Sequence, residues 1–80
     1  MLDAHISSLI SDRLDLARKK HPKFGGIPCI TSEIGEFLYA ADHETRARLK
    51  DEALDVIVTC VRLLLNEDLD DGKTEQSRLD

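Results

Sequence analysis

From Ala53 to Leu65 the chain is apolar except at Asp55, Thr59 and Arg62, and those exceptions are ordered. Arg48, Glu52, Asp55, Thr59, Arg62 and Asn66 follow one another by 4, 3, 4, 3 and 4 residues. That spacing draws one narrow polar stripe along a helix that is otherwise apolar nearly all round. The pattern predicts a helix from about Thr45 to Asn66, and such a helix has to be covered on both flanks. A chain of 80 residues makes one domain, and at that size only about 60% of the unfolded surface is buried. A second subunit is therefore expected against this helix. Ile57, Val61 and Leu64, stepping by 4 and 3, form the expected seam of a shared core.

The rest of the chain supplies partners for that helix. Leu2, Ile6, Leu9, Ile10, Leu14 and Ala17 recur at helical spacing, predicting an amphipathic helix over about 2–20. Its last turn is Arg18-Lys19-Lys20, where cations meet the negative end of the helix dipole. That run reads either as a charged terminus or as a phosphate contact. Residues 21–28, His-Pro-Lys-Phe-Gly-Gly-Ile-Pro, read as a loop because Pro removes a donor and paired Gly adds backbone freedom. Lys23 offers a cation there. Phe24 is either a plug for one end of the core or a platform for a base. A second helix is expected from Thr31 or Ser32, either of which can cap it, with Ile34, Phe37, Leu38 and Ala41 as its apolar side. Asp42 to Thr45 reads as the turn, with Asp42 or Thr45 capping the third helix.

The expected fold is all-α: a three-helix subunit of helix, loop and antiparallel helix hairpin that completes its bundle by homo-oligomerisation. Residues 1–66 form the domain. Glu67, Asp68, Asp70, Asp71, Glu75 and Asp80 against Lys73 and Arg78 make 67–80 an acidic tail, expected to be mobile or a short helix.

Within the hairpin, Glu33 and Glu36 on one helix, and Glu52 and Asp55 on the next, are each spaced i, i+3 and so share a face. If the chain turns near Glu44, Glu36 and Glu52 lie 8 residues from the turn, and Glu33 and Asp55 lie 11. The two rows are then level, about 4.5 Å apart along the axis, and four carboxylates can converge on one volume. A single such pair is usually a solvated face; two level pairs are not so easily dismissed. Anions that close repel unless a cation sits among them, and an all-oxygen set favours Mg²⁺, or Mn²⁺ in its place, over zinc. Mg²⁺ in such a site takes further ligands from phosphate oxygens and assists displacement at phosphorus. Gly35, between the first two acids, is either neutral or marks close approach of a backbone or ligand.

Several classes are excluded or disfavoured. The net charge is -5, most of it in the tail, and residues 1–66 hold 10 acids against 9 bases. That leaves no basic excess for a duplex nucleic acid. Cys29 and Cys60 form no CxxC or Cys/His cluster, and no apolar run reaches 18 residues. No membrane span is expected, and the expected location is the cytoplasm. His5, His21 and His43 show no metal-site spacing, and no Gly-rich phosphate loop is present.

The segment Glu33-Ile34-Gly35-Glu36-Phe37-Leu38, followed after a turn by Asp51-Glu52-Ala53-Leu54-Asp55-Val56-Ile57, resembles the ExxE…ExxD signature of the MazG-like, all-α nucleoside triphosphate pyrophosphohydrolases. The resemblance covers 33–65. It implies a helical bundle that dimerises or forms a dimer of dimers, and hydrolysis of NTPs or dNTPs between the α and β phosphates to a monophosphate and pyrophosphate. It further implies that Glu33, Glu36, Glu52 and Asp55 are Mg²⁺ ligands, and that Glu36 or Glu52 orients or deprotonates the attacking water. Lys20, Lys23, Phe24, Thr59, Arg62 and Asn66 are the candidate substrate-binding residues. The alternative function is a non-catalytic helical dimer that binds nucleotides or a protein partner through the same acidic face. Members of the family often carry a longer basic C-terminal segment; Asn66, Lys73 and Arg78 are what this chain offers in its place.

Overall fold

The computed structural model describes residues 3–69, which form three helices and no strand: α1 (Ala4–Lys20), α2 (Ile27–His43) and α3 (Arg46–Leu64). Residues 1–2 and 70–80, and with them most of the expected tail, lie outside the described residues. α1 is capped by Asp3, whose carboxylate accepts the Ile6 N–H at 2.9 Å. Thr45 caps α3, its hydroxyl accepting the Arg48 N–H at 3.3 Å. The two residues between α2 and α3, Glu44 and Thr45, leave room only for a hairpin.

α2 begins earlier than Thr31 or Ser32. Its N-cap is Gly26, at φ 74° and ψ -144°, a backbone conformation open essentially to glycine alone. Pro28 falls in the first turn, where a missing N–H costs nothing and the fixed φ is already helical. The Thr31 hydroxyl instead donates to the Ile27 carbonyl at 3.0 Å, inside the helix. The loop is thus the shorter stretch from 21 to 26.

α3 stops with Asn66 in the left-handed region at φ 59°. The Asn66 N–H donates to the Leu63 carbonyl and the Glu67 N–H to the Arg62 carbonyl, both at 2.9 Å. This pair of bonds closes the last turn and satisfies two carbonyls that a helix end leaves free. Residues 67–69 are attached to the domain: the Glu67 carboxylate accepts from Arg18 Nε at 3.0 Å and from Arg62 Nε at 2.7 Å.

α3 packs against α2 on one side and α1 on the other, while α1 and α2 do not pack on each other. The polar stripe is the covered side of α3, with Glu52 5%, Thr59 8% and Arg62 3% exposed. Its apolar flank is open, with Ile57 40% and Leu64 79% exposed. α2 shows the same inversion: Ala40 is fully buried, whereas Ile34 and Leu38, expected on its inner side, are exposed. Among the described residues the buried apolar side chains are Phe24, Ala40 and Val58.

Candidate metal centre

Glu33 and Glu36 come from the middle of α2, and Glu52 and Asp55 from the facing turns of α3. One carboxylate oxygen from each of Glu33, Glu36 and Glu52 lies within 4.8 Å of the others. Asp55 stands beside them, but its Oδ1 accepts from Arg13 Nη1 at 2.7 Å. Three of the four expected ligands therefore converge, and the fourth is hydrogen-bonded to an arginine of α1.

The electrostatics follow from that crowding. Burial, then the charges of Glu36, Asp55 and Glu52, push the Glu33 carboxyl above the ordinary glutamate range. Burial and then Glu36 do the same to Glu52, with Arg48 opposing; Arg48 Nη2 sits 3.9 Å from Glu52 Oε2. Glu33 Oε2 is buried without a hydrogen-bond partner. A buried, unpaired oxygen on a carboxylate that has other carboxylates for neighbours is costly unless a cation meets it. The donor set, all oxygen and anionic, fits Mg²⁺ or Mn²⁺.

A raised carboxyl pKa sets the sign of the pH dependence. The folded state is penalised while Glu33 and Glu52 are ionised, and the penalty disappears as pH falls through their raised values to below the ordinary range. Glu67 works the other way: Arg18, and after the opposing effect of burial Arg62, hold it low, so its contribution is lost only as pH falls from the ordinary range through that depressed value. The metal-free protein is therefore expected to gain thermal stability from pH 7 down to the upper edge of the ordinary glutamate range, and Glu33→Gln to flatten the gain. A wild-type melting temperature that falls over that window would contradict the origin assigned to these shifts.

Two clefts flank the triad. The first, of about 440 Å³, is lined by Ser32, Gly35, Glu36, Tyr39, Glu44, Arg48 and Glu52. Tyr39, 59% exposed, stacks on His43 with ring centroids 4.3 Å apart. A Cβ added at Gly35 would meet nothing within 4 Å, so no backbone approaches this glycine. Gly35→Ala is expected to stabilise the fold by roughly 0.5–1 kcal/mol. Urea melts check this, and a loss of stability would mean that something in the native protein covers the position.

The second cleft, of about 210 Å³, lies among all three helices and has Glu33 and Asp55 on its wall with Arg13, Lys20, His21, Thr59 and Arg62. Of the six expected substrate-binding residues, Lys20, Thr59 and Arg62 reach this cleft; Lys23, Phe24 and Asn66 line neither cleft. The Thr59 hydroxyl donates to the Val56 carbonyl at 2.8 Å. Arg62 is held by Glu67 and lies over the Phe24 ring, 5.2 Å from its centroid. Phe24 is 7% exposed: it plugs the core beneath a cation and presents no open face to a base. Asn66 is occupied in ending α3.

Arg13, Arg48 and Tyr39 are among the residues at the site that were not expected there. Arg13 had a sequence signal, for it sits 7, 4 and 3 residues after Ile6, Leu9 and Ile10, a cation in the apolar register of α1. Tyr39 lies one turn after Glu36 and so shares its face. No family model, curated protein or solved structure matches the chain.

Proposed function

We propose that the protein is a Mg²⁺-dependent nucleotide pyrophosphohydrolase, acting on NTPs or dNTPs as its resemblance to the MazG-like enzymes implies. The observation that carries this reading is the convergence of Glu33, Glu36 and Glu52 oxygens within 4.8 Å of one another, from two helices. Glu33, Glu36 and Glu52 would hold the ion, with Asp55 at the edge. Bound there, Mg²⁺ supplies charge neutralisation on the phosphates and a more acidic water.

The chain's own residues do the rest. Glu36, exposed and on the wall of the larger cleft, accepts a proton from the attacking water at its carboxylate. Arg48 steadies Glu52. Lys20 lines the smaller cleft and offers a cation to phosphate oxygens there, and Tyr39, exposed though stacked on His43, offers an aromatic ring to a base. Water oxygen bonds to the α-phosphorus, the bond from that phosphorus to the α–β bridging oxygen breaks, and pyrophosphate leaves with the electron pair. The test is release of pyrophosphate and monophosphate in equal amounts, assayed across NTPs and dNTPs with Mg²⁺ and Mn²⁺. Folded, metal-bound protein that turns over none of them would overturn the reading in favour of a nucleotide- or partner-binding module.

The assembly proposed with it is a homodimer or dimer of dimers. Ile34, Phe37, Leu38, Ala53, Val56 and Ile57 line an apolar groove of about 380 Å³ on the outer side of the hairpin. The three buried apolar residues among those described make a thin core for a domain of this length. A second copy, bringing the same exposed Ile34, Leu38 and Ile57, is the occupant that closes it. The melting temperature is expected to rise with protein concentration; a concentration-independent melt with sedimentation as a 9.0 kDa monomer at micromolar concentration would refute the dimer. No helix of the described residues is long and apolar enough to cross a membrane, and the free thiols Cys29 and Cys60 fit the reducing cytoplasm proposed as its location.

A further inference from the structure

α1 buries none of its residues and packs only on α3, so polar clamps matter to its position. One is Arg18 with Glu67. The other is Arg13, which crosses from the middle of α1 and forks over α3, with Nη1 2.7 Å from Asp55 Oδ1 and Nη2 2.9 Å from Asp51 Oδ1. Arg13 also lines the smaller cleft, facing Glu33 and Asp55. A guanidinium at contact distance from Asp55 and a divalent cation held by Glu33, Glu36 and Glu52 repel each other, since Arg13 and Glu33 share one cleft wall. Asp51, next along the fork, is not one of the converging acids, so it can keep hold of Arg13 when Asp55 does not.

We propose that Arg13 is an exchangeable counter-cation: it neutralises Asp55 in the metal-free protein, yields Asp55 when a divalent cation binds, and then offers its freed N–H groups to a polyphosphate in the same cleft. This rests on the metal centre of the proposed function and adds a residue to it. The planar fork suits both tasks, since carboxylate and phosphate present the same pair of oxygens to it. Arg13 thereby acts as a positioning residue for the ion and a contact for the anionic ligand, and it couples the two binding events.

Calorimetric titration of the full chain with Mn²⁺ alone, and of Mn²⁺-saturated protein with inorganic tripolyphosphate, tests this. Arg13→Gln is expected to bind Mn²⁺ about 3- to 10-fold more tightly, because a competing cation is gone, and to bind tripolyphosphate at least about 5-fold more weakly. Arg13→Lys, which keeps the charge without the fork, should fall between wild type and Gln on both counts, and it carries the test if Arg13→Gln does not fold. A folded Arg13 variant with unchanged or weaker Mn²⁺ affinity makes Arg13 a clamp for α1 only and overturns the exchange. Wild type that binds no Mn²⁺ removes the metal centre itself, a result seen before any variant is compared.

Discussion

Glu36→Gln and Glu52→Gln are each expected to lower metal-dependent pyrophosphate release by at least about 10²-fold while leaving the protein folded. Each change removes one negative charge from three oxygens that lie within 4.8 Å of one another, and with it the attraction that holds a hard cation. The same change relieves repulsion in the metal-free state. Glu52 is 5% exposed, and burial with the Glu36 charge already holds its carboxyl above the ordinary range. The neutral amide is therefore expected to melt at the same temperature as wild type or higher without metal, and to lose the stabilisation that Mg²⁺ plus nucleotide confers on wild type. Paired melts and rate assays separate the outcomes. Activity lost together with the fold would make these acids structural; activity kept would remove them from the chemistry.

Phe24→Ala should have the largest effect on stability. Truncating a buried Phe costs about 3–5 kcal/mol, and a chain of this length has only about 4–12 kcal/mol in all. Phe24 is 7% exposed, in a domain whose other buried apolar residues among those described are Ala40 and Val58. It also supports the Arg62 guanidinium above its ring, and Arg62 in turn holds Glu67 and, at 3.4 Å, the Pro22 carbonyl. Loss of the ring leaves a buried charge without its packing surface. Urea unfolding is the measurement, with Phe24→Leu as the companion. The Leu variant restores most of the volume and is expected to keep the wild-type KM for nucleotide, because the ring has no open face for a base. A raised KM in a stable Phe24→Leu protein would return Phe24 to the substrate site.

What the sequence determined by itself is the part governed by local periodicity and short-range chemistry. The 4, 3, 4, 3, 4 spacing from Arg48 to Asn66 specifies α3 and the face on which Glu52, Thr59 and Arg62 lie. A turn between Asp42 and Thr45 specifies the hairpin, which the structure narrows to Glu44 and Thr45, and Glu33, Glu36 and Glu52 then meet because helical geometry leaves the two rows level. The start of α2 was less legible, since Pro28 reads as a breaker until Gly26 is seen to take a positive φ just before it. Tertiary structure alone decided the pairings between distant residues: Arg13 with Asp55, Arg18 with Glu67, and Arg62 with Phe24. Spacing along one helix says which residues share a face. The rotation at which that face meets another helix is set by packing, and that rotation turned the polar stripe of α3 inward, left Ile34 and Leu38 of α2 outward, and gave Asp55 to an arginine from α1.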